Sequence, residues 1–213
     1  MRKFLLIICV ILPNPIKIFI FRFFFHYKVG KGCTIGMSYI DCIEFSLGDN
    51  SSIGHFNTFT HLKKFKMGKM SSIGNFNRFS GSKNQKTWSN SLVTGSFIGI
   101  SSHHHFDVGG GITLASNIVI GGINVQFWGH EIDIEDGTTR SKPIKIASQV
   151  YVASNVLIAP GAEIASNCIV GLGAVVPGKF KCDDFSIIVG NPARAIQKKI
   201  EVRQKLNEWR KKS

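Results

Sequence analysis

The chain has 213 residues, 26 Lys plus Arg against 13 Asp plus Glu for a formal net charge of +13, and 22 glycines beside 6 prolines. At 44% hydrophobic and 18% charged it is too apolar and too sparsely charged for intrinsic disorder, and it lacks the glycine period and proline content of collagen. One folded domain with a sizeable core is expected, and the excess of cations means nucleic-acid binding only if they are suitably placed.

The first acidic residue is Asp41, and the stretch before it carries Arg2, Lys3, Lys17, Arg22, Lys28 and Lys31 among Phe, Ile and Leu. Phe4 to Leu12 is an apolar run too short to cross a bilayer, and Pro13-Asn14-Pro15 separates it from a second run, Ile16 to Phe25, interrupted by Lys17 and Arg22. Those prolines stand where a secretory signal needs small residues for cleavage. A helix starting at Pro15 is expected, either capping one end of the core or lying peripherally on the inner membrane, so residues 1–28 read as a hydrophobic, basic helical cap. Five cysteines (Cys9, Cys33, Cys42, Cys168, Cys182), odd in number and without a CxxC pair, fit small apolar residues in a reducing cytoplasm better than a disulfide framework or a zinc site.

From residue 29 a six-residue period takes over. Val29-Gly30, Ile35-Gly36, Leu47-Gly48, Ile53-Gly54, Met67-Gly68 and Ile73-Gly74 begin it, and the blocks 48–59 (GDNSSIGHFNTF) and 68–79 (GKMSSIGNFNRF) agree at eight of twelve positions. The segment Gly81 to Gly95 is polar and off-period, either a loop facing a ligand or a bulge; Val108, Leu114 and Ile120 then resume the series. Ile146, Val152, Ile158, Ile164, Val170 and Val176 close it, each of the first five followed by Ala or Gly and, four residues on, by Val150, Val156, Ala162, Cys168 or Ala174. A helix needs a period near 3.6 and a simple strand a period of 2, so this pattern describes a coil of short strands, with the aliphatic residue stacked inward and Gly or Ala where the turning backbone has little room.

The repeat resembles the hexapeptide-repeat acyltransferases, whose three hexads make one triangular coil of a left-handed parallel β-helix; SIIVGNPARAIQKK (186–199) is similar to that family's closing segment. The resemblance implies an all-β fold with short N-terminal and C-terminal helices: cap 1–28, β-helix 29–185 with a loop at 127–145, and a closing GNPAR segment with a basic helix over 186–213. It also implies a homotrimer that binds acetyl-CoA in the groove between neighbouring β-helices. Leu-Pro-x-x-Ile-Lys near the start, His-x-Phe-Asp-x-x-Gly-Gly and Phe-Trp-Gly-His look more narrowly like acetyltransferases of bacterial surface polysaccharides, with a carbohydrate acceptor.

The period breaks between Gln126 and Ile146, and a loop leaving a rigid solenoid is where function is built. Its His130 is the candidate general base, because transfer from a thioester to an alcohol needs a group that titrates near neutrality, and Pro143-Ile144-Lys145-Ile146 gives it the context of the family's catalytic histidine. Asp133 matches the family's His-x-x-Asp, orienting the loop or meeting substrate. His103, His104 and His105 alternate faces on a strand and cannot share one metal, so no metal is expected. By likeness to family members, His104 with Asp107 are acceptor-site candidates, and Trp128 walls the site or packs. For acetyl-CoA the resemblance transfers Ser154 and Leu172 to the pantetheine arm, and Lys179, Arg194 and Lys198 to the phosphates.

Two rivals share the fold: an N-acyltransferase acting on a nucleotide-linked amino sugar, and a non-catalytic scaffold. Nucleic-acid binding is not expected, since the cations gather at the two ends and the C-terminal run, Arg194 to Lys212, also carries Glu201 and Glu208.

Overall fold

A computed structural model of the protein describes residues 2–83 and 87–197. Within them the chain coils seven times around a three-sided core. The first face carries Lys28–Val29, the ends of Tyr39–Leu47 and Thr58–Met67, then Ser91–Thr94, Ile112–Leu114, Ile144–Ile146 and Glu163–Ile164. The second carries Thr34–Ile35, Ser52–Ile53, Ser72–Ile73, Ile98–Ile100, Ile118–Ile120, Tyr151–Val152 and Ile169–Val170. The third carries the starts of Tyr39–Leu47 and Thr58–Met67, then Arg78–Ser80, His105–Asp107, Gln126–Phe127, Leu157–Ile158 and Val175–Val176. Each strand pairs in parallel with its counterpart one coil away: three hexads separate the partners in Thr34–Ile35 with Ser52–Ile53 and in Tyr151–Val152 with Ile169–Val170, and longer stretches do where a corner is widened or carries a loop.

The aliphatic residue of each hexad points inward and is buried, from Ile35 to Val176. The small residue after it is required by proximity: a Cβ on Gly48 would lie 2.5 Å from the Lys69 nitrogen, and one on Gly54 would lie 2.6 Å from the Gly74 oxygen. Left-handed backbone falls two residues further on, at positions such as Asn50, Asn117, Asn155 and Asn167, a conformation asparagine tolerates better than most side chains.

Two internal ladders run along the solenoid. On the third face Phe59, Phe79, Phe106 and Phe127 stack with ring centroids 4.4–4.7 Å apart, close to the spacing of adjacent strands, and all four are fully buried. Between the second and third faces, Ser38, Asn57, Asn77 and His104 form a polar ladder. The Ser38 hydroxyl accepts the Asn57 N–H at 3.0 Å, Asn57 Oδ1 that of Asn77 at 2.9 Å, Asn77 Oδ1 that of His104 at 2.9 Å, and His104 Nδ1 that of Val125 at 3.1 Å.

Burial, then the neighbouring His103, pushes the His104 pKa down to about 4. The unfolded chain therefore binds a proton near pH 6.5 that the folded chain refuses until about pH 4; the resulting stability is intact above 6.5 and is lost as pH falls through that window. His104→Asn keeps an acceptor at the same rung. Urea unfolding at pH 7 and pH 4.5 is expected to show wild type losing about 2 kcal/mol more than the variant on acidification; equal losses would clear His104 of the acid sensitivity.

The N-terminal segment forms two helices, α1 (Arg2–Ile11) and α2 (Asn14–Phe23), where one starting at Pro15 was expected. Pro13 cannot continue the first helix, and Pro15, without an N–H to satisfy, suits the first turn of the second. Together they close the open edge of coil 1. The Asn14 side chain accepts the Ile35 N–H at 2.8 Å and donates to the Cys33 carbonyl at 3.1 Å. The buried Lys17 Nζ donates to the carbonyls of Val10, Ile35 and Gly36, and Arg22 donates to those of Val29 and Gly30. Arg2 reaches the Cys42 carbonyl at 2.6 Å and the Tyr27 hydroxyl, and pairs with Asp41. Burial lowers the Lys17 pKa, a penalty that its three carbonyl partners oppose. At the other end, Ser186–Gly190 pairs with the second face and turns back as a hairpin with Ala193–Gln197. The basic helix expected beyond it lies outside the described residues.

Candidate active site

The coils differ most where the third face turns into the first. Coils 1 and 2 pass this corner as the continuous strands Tyr39–Leu47 and Thr58–Met67. After coil 3 comes the off-period segment ending near Asn90, after coil 4 the tight triplet Gly109-Gly110-Gly111, and after coil 5 the long excursion from Trp128 to Pro143. The triplet lies between the two loops and touches both: a Cβ on Gly109 would lie 2.9 Å from the Trp88 ring, and one on Gly110 would strike the Lys142 carbonyl. The long loop is a hairpin, His130–Ile132 against Thr139–Ser141, braced by ion pairs of Lys142 with Glu131 and of Arg140 with Asp133 and Asp136.

His130 opens this hairpin, and its Nδ1 hydrogen-bonds Asp107 Oδ2 on the adjacent strand. Asp107 is 5% exposed and accepts two further bonds, from the Gly109 N–H to Oδ1 and from the Gly129 N–H to Oδ2, each 3.0 Å. Asp107 therefore lines the same cleft as His130 while its carboxylate is held by the imidazole and by two main-chain N–H groups. With Nδ1–H directed at the carboxylate, the basic lone pair resides on Nε2, on a side chain that is 40% exposed.

This histidine lines a cleft of about 590 Å³, walled by Trp88 from the shorter loop and Trp128 from the longer. The Trp88 ring lies 5.3 Å from that of His130, and Trp128 lies 5.2 Å from that of His105. His105 and Arg78 face the same cleft from neighbouring rungs, and burial lowers the His105 pKa. The reading of the sequence favoured His104 over its neighbour and missed Trp88, with Arg78 and His105 left unassigned. Counting rungs would have found the last two, because Arg78 and His105 hold one position of successive coils, whereas Trp88 lies in an off-period segment where no rung can be counted.

The consecutive histidines point three ways. His103 sits at a corner with φ 63° and stacks on Phe76, His104 faces the interior, and His105 faces the cleft. His104 is 2% exposed, with Nδ1 bonded to Val125 N–H and Nε2 beside the Ser101 hydroxyl, so its assignment to the acceptor site is corrected: both nitrogens serve the solenoid. Asp133 is likewise committed to its loop, accepting the Glu135 N–H and pairing with Arg140 at 2.8 Å, and it does not line the cleft. Ser154 accepts the Ile123 N–H at the corner between the second and third faces, and the exposed Leu172 lies at the same corner one coil on. Lys179 follows the third face of coil 7, and Arg194 lies on the terminal hairpin. None of these four lines the cleft of His130 in a single chain; Lys198 lies outside the described residues.

No protein-family model matches the chain. Among curated proteins it is similar to the galactoside O-acetyltransferase of Escherichia coli (strain K12), 29% identical over 90 residues, or 40% of this chain and 43% of that protein. The chain spans about half the length of the curated relatives it matches, between 43% and 54%. Among solved structures it is similar to a hexapeptide-repeat acetyltransferase of Vibrio cholerae O1 biovar eltor complexed with acetyl-CoA, at TM-score 0.50 and 15% identity over 94% of this chain and 86% of that one. An N-acyltransferase of Bacillus cereus in complex with dTDP and 3-hydroxybutyryl-CoA gives TM-score 0.52 and 21% identity over 87% and 90%. The chain thus has the left-handed parallel β-helix fold of the hexapeptide-repeat acyltransferases.

Proposed function

We propose that the protein transfers an acetyl group from acetyl-CoA to a hydroxyl of a sugar in a bacterial surface polysaccharide or its precursor, with His130 as general base. The observation that carries this reading is the His130–Asp107 pair, its free nitrogen turned to a cleft walled by two indoles, surfaces suited to the apolar faces of a sugar ring. Nε2 takes the hydroxyl proton as the oxygen attacks the thioester carbonyl; the carbon–sulfur bond then breaks, and the proton passes to the sulfur to release CoA as the thiol. A homotrimer would supply what one chain lacks, because Ser154 and Leu172 stand at a different corner of the coil from His130 and would meet an acetyl-CoA site beside it across a groove between copies, with Lys179 and Arg194 toward its phosphates.

The kinship with galactoside O-acetyltransferase favours a hydroxyl over an amine as nucleophile. Incubation with acetyl-CoA and a panel of neutral, acidic and amino sugars, read by CoA release and by NMR of the product, tests this: an O-acetyl ester supports the reading, an amide replaces it with N-acylation, and no transfer to any sugar refutes it. Asp107→Asn is expected to lower kcat by about a hundredfold to ten-thousandfold while leaving the KM for acetyl-CoA unchanged, as for loss of a carboxylate that fixes the tautomer of a catalytic histidine. A variant with native kcat would dissolve the pair as a catalytic unit.

A further inference from the structure

The two N-terminal helices close coil 1 with one face and leave the other bare. On α1, Phe4, Ile7 and Ile11 are 69%, 60% and 75% exposed; on α2, Ile16, Phe19 and Phe23 are 50%, 62% and 64% exposed, with Phe24 beside them. Each set follows the spacing i, i+3, i+7, which gathers it into one stripe along its helix, opposite the buried Leu6, Cys9, Lys17 and Phe21. So large an apolar surface at one end of a molecule marks a contact.

Charge identifies the partner. Residues 1–40 contain no carboxylate side chain, Asp41 is paired with Arg2, and Asp49 is occupied by the main-chain N–H of Lys31. Arg2, Lys17 and Arg22 are spent on carbonyls of the β-helix, which leaves Lys3, Lys28 and Lys31 exposed at this end of the molecule. A second copy docked on the same face would bring two such basic ends together, whereas an anionic surface would neutralise them. No helix among the described residues is long and apolar enough to cross a membrane. We propose that this face lies on an anionic phospholipid bilayer, with the seven apolar side chains in the interface, the three lysines against the head groups, and the β-helix standing on its end.

The cleft of His130 then sits well clear of the lipid. A helix is about 10 Å thick and successive coils are about 4.8 Å apart, so a site centred on coil 4 lies on the order of 25 Å above the bilayer. If the transferase reading holds, that height selects an acceptor carried on a lipid anchor several sugars out; the docking itself does not depend on it.

Co-sedimentation with vesicles of phosphatidylcholine, with and without phosphatidylglycerol, tests the proposal. The protein is expected to bind the anionic vesicles about tenfold more strongly, less so as salt rises, and a variant carrying Ile7→Ser, Phe19→Ser and Phe23→Ser is expected to lose binding while its thermal unfolding and acetyl transfer stay native. Lys3→Glu with Lys28→Glu and Lys31→Glu is expected to erase the preference for phosphatidylglycerol. Wild type remaining in the supernatant, or equal binding by the serine variant, would overturn the proposal. Self-association abolished by the serine variant, without vesicle binding, would instead make the face a contact between copies. Loss of acetyl transfer in every variant and in wild type would bear only on the transferase reading.

Discussion

His130→Ala is expected to lower kcat by about a hundredfold to ten-thousandfold, the range for loss of a positioned general base, or about 3–5 kcal/mol of barrier. The side chain is 40% exposed and opens a surface hairpin, so its truncation removes little packing, but it takes a partner from the buried Asp107, and a loss of about 1–3 kcal/mol in unfolding is expected, small enough to leave the protein folded. The KM for acetyl-CoA should also hold, since no acetyl-CoA candidate touches the cleft in one chain. The deciding measurement is CoA release from acetyl-CoA with a saturating acceptor. Release at the native rate would make His130 structural and leave the Asp107 pair without a purpose in transfer.

The second large effect concerns the fold. Phe79 is fully buried, stacked on Phe59 at 4.4 Å and on Phe106 at 4.7 Å, with the edge of Phe65 at 6.1 Å. Phe79→Ala opens a cavity in the middle of this ladder, where rungs on both sides are fixed by backbone pairing and cannot collapse inward, so a loss of about 3–5 kcal/mol is expected. Urea unfolding of wild type and variant measures it. Phe79→Leu, which fills much of the space, should recover more than half; a loss below about 1 kcal/mol for the alanine variant would show the stack to be slack.

The repeat was legible because it is a steric rule applied residue by residue: Ile146 to Val176 must face inward, and the residue after each must be small. His130 was legible for the opposite reason, since a break in a strict period stands out against it. Two things resisted. The phenylalanine ladder was obscured because its column changes identity, ending in Ile158 and Val176, so the inward position repeats while the side chain does not. The partners of His130 were hidden because they depend on coil-to-coil adjacency: Asp107 lies 23 residues away in sequence yet occupies the neighbouring rung, and His104 and His105 exchange interior and cleft through a single step along a strand. The cations of the first 31 residues were also read as one group, whereas Arg2, Lys17 and Arg22 are bound to coil 1 and Lys3, Lys28 and Lys31 remain exposed.

The side chains that close coil 1 also bear on how the molecule counts. Nothing in a hexad records how many hexads precede it, and each coil offers the next an identical set of donors and acceptors, so the stacking rule by itself describes an endless fibre. Asn14, Lys17, Arg22 and Arg2 end that series by saturating carbonyls and an N–H that another coil would have matched. Coil 1 is thus closed by side chains of the two helices rather than by any change in the repeat itself.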